Sequence, residues 1–467
     1  MSLRRVVMAL ALLAAACAPD PGVIEDTVLF DATTTTTTLS GALPPPSSPV
    51  LPPPTTVPGP GLVPPSSLPP AFSQPPDGEL DPVVGRIAVE GLATTLRTPR
   101  DSIALETQGL PSQSTWSRDG SRLAVSVVTG GSTRVVSVFH GTTGALIAAN
   151  DARLPYFFFS WSHDGTRIAA LGPTVDGTSL DILDADGALL HENVRTAASL
   201  YVAWDPDAPR LVAHTDERLL RIDEDGTVFD LGEVGFHFFA PKWIPDSDDI
   251  VLVADIEGSE TLVRRGVEGG DPLTSLGTVE TLTRIAVHPD GLTAAVSITY
   301  EIEGSGATGE RISLGPPLAQ EAPVLSGEVD IIDLQTGERV NVFRGHALWT
   351  EWSPTGERLL IGTTDTSEGI GQWWVYEHDD PFAVPESELV LISAVGAYTP
   401  TLTFANSYLP FADQYIEQPR LWGPAGDWFV YTDSTTDGPW ALAVNVDDLG
   451  EPSTVGPGAV AFWSQIG

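Results

Sequence analysis

Trp116-Ser117-Arg118-Asp119-Gly120-Ser121-Arg122-Leu123-Ala124 comes back as Trp161-Ser162-His163-Asp164-Gly165-Thr166-Arg167-Ile168-Ala169. Looser copies begin at Trp204, Trp243, Val287, Trp352 and Trp422, and Ala461-Phe462-Trp463-Ser464 starts one more and stops. Successive copies lie 45, 43, 39, 44, 65 and 70 residues apart. Self-similarity at such a period marks a repeat architecture, in which each unit buries its apolar face only against its neighbours. Within a unit, an apolar run such as Tyr156–Phe159 enters the motif as a buried strand. Asp-Gly then turns the chain, because glycine takes positive φ without a steric cost. An alternating strand follows, with Leu123, Val125 and Val127 on one face, then a third strand near Thr133–Phe139. A second polar turn, seen at Asp184–Gly187, Asp223–Gly226 and Gln335–Gly337, leads to a short fourth strand.

Four short strands per unit, with an aromatic at a fixed offset, predict an all-β propeller of four-stranded blades. The tryptophans at 116, 161, 204, 243, 352, 422 and 463 are then the repeat's structural residues. Their large rings suit the gaps between neighbouring twisted sheets. The ends of the repeat fix the count. Gly85–Glu90, Leu92–Arg97 and Ile103–Leu105 read as second, third and fourth strands without a first, and Ala459–Ser464 reads as a first strand without followers. Joined, they complete one blade from both ends of the repeat, giving thirty-two strands in eight blades. The alternative is seven blades, should the early strands stay unpaired. Closure would remove two exposed sheet edges that otherwise invite aggregation.

Trp-Ser-x-Asp-Gly-x-Arg-Leu-Ala resembles the repeat of TolB-like β-propellers, relatives of the WD-repeat propellers, over roughly Val83 to Gly467. The segment Tyr408–Tyr415 leading into Leu421-Trp422 is similar to a stretch in bacterial members of that group. The resemblance implies a binding scaffold with no settled ligand. TolB itself has an α/β domain ahead of its propeller; here a proline-rich stretch stands there, so TolB's partners are not implied.

The N-terminal residues read as an address. Arg4 and Arg5 precede the apolar run Val6–Ala16, too short to span about 30 Å of hydrocarbon as a helix but suited to a signal sequence. Leu13-Ala14-Ala15-Ala16-Cys17 resembles the lipobox of bacterial lipoproteins, which implies a lipid thioether on Cys17. Ala14-x-Ala16 also fits ordinary secretory cleavage, which would leave Cys17 idle. Several acyl chains anchor firmly where one holds weakly. Beyond Cys17, the run Thr33–Thr38 and the proline clusters from Pro44 to Pro76 favour an extended spacer without a core. Such a Thr/Pro-rich stretch can also be an O-glycosylated stalk. The expected organisation is a signal peptide over 1–16, a lipidated cysteine and disordered tether over 17–82, and the propeller over 83–467.

Composition narrows the function. Lys plus Arg number 23 against 62 acids, for a formal charge of −39, and Lys242 is the lone lysine. Phosphate neutralisation needs a basic stripe, so nucleic acid is excluded as a partner. An anionic lipid surface repels such a chain, leaving a lipid anchor as the membrane tie. One cysteine excludes a disulfide scaffold and a cysteine zinc cluster. The sequence shows no Gly-x-Ser-x-Gly elbow, His-Glu-x-x-His, P-loop or dinucleotide fingerprint, so no catalytic residue is assigned. The histidines near turns, His140, His163 and His288, read as structural. Asp184/Asp186 and Asp223/Asp225 echo the start of a calcium loop, yet position twelve holds Arg195 or Val234 instead of the bidentate glutamate. They read as hairpin turns, with no cofactor expected and calcium the only ion considered.

Two long insertions are more informative. In an antiparallel four-stranded blade, second–third loops and the links between blades share one face. The insertions at about Glu303–Gly327, a second–third loop, and Gly396–Arg420, a link, therefore project from the same face. The latter carries Tyr398, Phe404, Tyr408, Phe411 and Tyr415, with Asp413 and Glu417 beside them. Insertions on one face of a repeat array often mark its binding face; the alternative is that these aromatics pack down as a lid. The expected function is a non-catalytic, envelope-located, extracytoplasmic module that binds a protein, peptide or glycan. Its alternatives are a channel-mouth sensor of a small ligand or cation, a propeller hydrolase or lyase, and a passive surface-layer component.

Overall fold

The computed structural model describes residues 85–464 apart from short internal stretches, the longest being 303–323, 383–391 and 399–419. All its strands are antiparallel and fall into eight sheets, the blades of a β-propeller. Blade 1 is the closing one: Val460–Trp463 pairs with Ile87–Glu90, which pairs with Thr94–Arg97 and then Ser102–Ala104. Ile87 faces Trp463 across the ladder and Glu90 faces Val460. Blades 2 to 7 follow in chain order, each built from four consecutive strands. Blade 8 departs from expectation: its three strands, Trp428–Thr435, Gly438–Asn445 and Ser453–Pro457, are joined by Trp422 through an isolated bridge to Phe429. Thirty-one strands are therefore formed among the described residues, with Trp422 standing where a first strand would be.

The apolar residues collect between sheets. Trp161 packs with Ala124 and Val136 of blade 2 and Ile168 of its own blade, and Trp204 packs with Phe158 and Leu180 of blade 3. Ala88, Phe462, Trp116 and Leu123 form the seam between blades 1 and 2. The motif tryptophans also bond backward. Their indole N–H groups donate from Trp161 to the Thr115 carbonyl (3.2 Å), Trp204 to Ser160 (2.9 Å), Trp243 to Ala203 (3.0 Å), Trp352 to Ala286 (3.0 Å) and Trp422 to Glu351 (3.0 Å). Every acceptor directly precedes the motif's first residue in the preceding blade. Trp116 and Trp463, which flank the closure, are equally buried without this bond.

The rest of the motif has equally local reasons. Ser117 Oγ donates to Asp119 (2.7 Å) and accepts from the Arg122 amide (2.9 Å), closing the turn; Ser162 does the same with Asp164 and Arg167. Gly120 has φ of 62°, a conformation that favours glycine, and a Cβ there would come within 2.3 Å of Ser464 Oγ beside blade 1 and displace it. The motif arginine reaches the next blade: Arg122 donates to the Ala185 carbonyl (2.7 Å) and to Asp186 (2.6 Å). At the periphery, the pairing of third with fourth strands shifts register in blades 2 to 8. Such bulges twist an edge strand away from flat pairing with another chain.

Candidate ligand face

The strand order puts second–third loops and inter-blade links on one face, and the strand ends that flank both insertions open onto that face. Residues 303–323 connect Thr293–Ile302 to Val324–Asp333, the second and third strands of blade 6. Those strands pair over ten residues each, from Thr293 opposite Asp333 to Ile302 opposite Val324. The ladder thus absorbs Val324–Gly327, which the sequence had suggested were insertion. Residues 399–419 connect blade 7 to blade 8, and here too the boundary moves. Gly396, Ala397 and Tyr398 belong to the fourth strand of blade 7, opposite Trp373, Gln372 and Gly371. Tyr398 is therefore placed by its backbone on an outer strand, not in the insertion, and its side chain lies outside what is described. Phe404, Tyr408, Phe411, Asp413, Tyr415 and Glu417 lie outside the described residues, as does Cys17.

What the structure describes is the footing of the second insertion. Arg420, its last neighbour, forms an isolated bridge with Trp463 and accepts the Trp463 amide at 2.8 Å. Next to it, Glu351 Oε2 accepts from the Leu421 amide (3.1 Å) and from the Trp349 indole (3.0 Å), joining blade 7 to blade 8. Burial pushes the Glu351 carboxyl up to about 7, against the opposing pull of Arg420 and these hydrogen bonds. Glu90 is its counterpart at the closure. It accepts the Ser114 amide (2.5 Å) and the Ser114 hydroxyl from blade 2, and burial raises its carboxyl to about 7 as well. Sequence reading missed both glutamates, since nothing local distinguishes them from the other acids.

Two carboxyls with raised folded values make stability fall as pH rises. Both states are neutral well below 4.5; above it the unfolded chain ionises freely, while the folded chain resists until about 7. Asp230 works the other way, because hydrogen bonds from Arg218 hold it below the usual carboxylate range, so its contribution is lost only in stronger acid. The melting temperature should therefore be higher at pH 5.5 than at pH 8. Glu351→Gln keeps the acceptor for Leu421 and Trp349 but removes the titration. It should melt above the native protein at pH 8 and with it at pH 5; parallel curves for the two at all pH values would refute the assignment.

Other candidate groups are committed to the framework. His288 Nε2 lies 2.8 Å from the Gly356 carbonyl, its ring sits edge-on to Trp352, and Nδ1 is 2.7 Å from Asp290. His140 Nδ1 accepts the Thr142 amide at 3.2 Å. His214 is bound to the Gly235 carbonyl at 2.8 Å, and burial lowers its pKa. Asp184 accepts the Asp186 and Ala188 amides (2.9 and 2.8 Å) and Asp225 accepts Thr227 (2.9 Å), as hairpin turns do. Among the described residues, no group of three or more acids, histidines or cysteines converges as a metal site. Fully buried Asp181 is satisfied by Arg153 (2.6 and 2.8 Å), the Tyr156 hydroxyl (2.5 Å) and the Asn193 amide (2.8 Å), a network that ties the link from blade 2 to the outer strands of blade 3.

The fold defines the class: an eight-bladed, all-β propeller. No protein family and no curated relative matches the sequence. Solved structures similar to it include the dihydro-heme d1 dehydrogenase NirN, 12% identical over 84% of this chain and 78% of that one, with a TM-score of 0.50. An eukaryotic initiation factor is 10% identical over 81% and 98% of the two chains, with a TM-score of 0.49. TolB from Acinetobacter baumannii is 14% identical over 75% and 81%, with a TM-score of 0.37. At such identities the likeness concerns the fold alone, and a fold by itself does not decide a function.

Proposed function

We propose that this chain is an extracytoplasmic lipoprotein whose propeller holds a protein, peptide or glycan partner without transforming it. In this reading residues 1–16 are a signal peptide, Cys17 carries lipid, the stretch to 82 is a tether, and 83–467 form the binding disc. The observation that supports the binding reading is the strand order, in which the described ends of both insertions, Ile302 and Val324 in blade 6 and Tyr398 and Arg420 between blades 7 and 8, belong to a second–third loop and an inter-blade link. Rigid repeat scaffolds commonly present variable loops in this way. The framework duties of His140, His214 and His288 favour binding over acid–base catalysis. No helix among the described residues is long and apolar enough to cross a membrane, and the lipobox-like Cys17 supplies a different tie.

Crosslinking on intact cells tests this reading. Native protein should capture a defined partner, and changing Tyr408, Phe411 and Tyr415 together to alanine should reduce its recovery at least several-fold. In the same cells, Cys17→Ser should shift the chain from the membrane to the soluble fraction. Equal partner recovery from the triple variant would sink the face assignment, and an unchanged membrane fraction would sink the anchor.

A further inference from the structure

The periphery of blades 2, 3 and 4 carries a feature that the two insertions do not explain. Directly after the third–fourth turn, the outer strands begin Leu146-Ile147, Leu189-Leu190 and Val228-Phe229. These six side chains are 40–47% exposed, and they make up most of the large exposed apolar residues among those described. The pairs occupy the same place in each blade: Gly144, Gly187 and Gly226, all at positive φ, stand two residues ahead. Blade 6 puts Arg339-Val340 at that place, and its arginine folds back onto the Leu276 carbonyl. Neighbouring outer edges meet beside these pairs: Asn150 Nδ2 of blade 2 donates to the Asp186 carbonyl of blade 3 (2.8 Å), and Gly226 of blade 4 lies beside the His191 ring of blade 3.

Carboxylates border the strip. Asp151, Asp186, Glu192, Asp225 and Asp230 are all exposed on these turns and strands. Arg122 pairs with Asp186 and Arg218 with Asp230, and the five acids outnumber the four arginines Arg122, Arg195, Arg218 and Arg221 beside them. Arg221 shows the chemistry that such a surface accepts: its guanidinium lies 4.2 Å from the centre of the Phe229 ring. A second copy of the chain, itself at −39, would bring like charge to like charge. Bulged outer strands also disfavour simple edge-to-edge pairing. Exposed apolar pairs that recur at one place on three neighbouring blades, rimmed by charge, suit an interaction surface.

We propose that the outer edge of blades 2–4 docks a cationic amphipathic peptide segment, its apolar side chains on the Leu/Ile, Leu/Leu and Val/Phe pairs and its Lys or Arg on the flanking carboxylates. These pairs follow the third–fourth turns, on the side opposite the second–third loops and inter-blade links, so their test stands apart from the functional reading above. The probe is a labelled peptide of alternating lysine and leucine, titrated into the full chain and followed by fluorescence anisotropy, with lysine–serine and glutamate–leucine peptides alongside. Saturable binding of the lysine–leucine peptide alone is expected, weakening as salt rises from about 50 to about 500 mM. Changing all six apolar residues to serine should weaken it by about tenfold or more, while the variant lacking Tyr408, Phe411 and Tyr415 should bind as the native chain does. An unchanged melting temperature certifies that the six-serine variant is folded. No saturable binding, or equal binding by that variant, overturns the proposal. Concentration-dependent dimers in sedimentation, abolished by the six serines, would overturn it in favour of self-association.

Discussion

Truncation after Ala459 will leave a chain that no longer unfolds cooperatively. The lost strand contributes Val460, Ala461, Phe462 and Trp463, at most 4% exposed, and it is the partner of Ile87–Glu90. Phe462 lies in the seam of blades 1 and 2, and Trp463 in the cluster that joins blades 7, 8 and 1. Burying one large apolar side chain contributes about 1.5–3 kcal/mol. Losing three of them together with a backbone ladder removes an amount comparable to the about 5–15 kcal/mol that holds a typical domain folded. The exposed edge of Ile87–Glu90 should then recruit other chains. Thermal melts by circular dichroism and size-exclusion profiles read the result directly. A truncated monomer melting within a degree or two of the native protein would show that the ring does not depend on its closing strand. Phe462→Ala is the milder version, costing about 3–5 kcal/mol.

The second large effect concerns the indoles between blades. Trp204 is 3% exposed, packs with Phe158, Leu200 and Leu211, and donates to the Ser160 carbonyl at 2.9 Å. Trp204→Ala should cost about 3–5 kcal/mol, from lost burial plus the cavity left behind. It also removes the indole's hydrogen bond to the Ser160 carbonyl, which adds to the penalty. Trp204→Phe restores much of the volume but not the donor, and should fall between the two. Denaturant titration gives the values, and the ordering native, phenylalanine, alanine is the critical result. If the alanine variant lost under about 1 kcal/mol, the indole would be filling space that its neighbours can close for themselves.

The fold was legible because the repeat states the same physical solution many times. Asp-Gly, the serine before it and the arginine after it each answer to a contact now visible: a positive φ at Gly120, an amide bound by Ser117, and a carbonyl of the next blade reached by Arg122. Errors came where pairing is decided at a distance. Gly396–Tyr398 read as insertion because nothing in that tripeptide reveals that Gly371–Trp373 lies beside it. Trp422 read as part of a strand, yet it keeps only one bridge. Glu351 is an ordinary acid until Leu421, seventy residues on, supplies the amide that fixes it in a seam. Leu146-Ile147 and its two relatives were in plain view as dipeptides, but their meaning rests on the outermost rank of each blade, which only the sheet order supplies.

The union of Val460–Trp463 with Ile87–Glu90 has a consequence for how such a protein can change over time. An open solenoid lengthens by adding a unit at a free end and keeps its capping repeats. A circle offers no terminus to extend, so a ninth unit would have to open every joint by a few degrees at once. Novelty is thereby steered away from the number of units and into the hairpins and bridges between them, which can lengthen without disturbing a single joint.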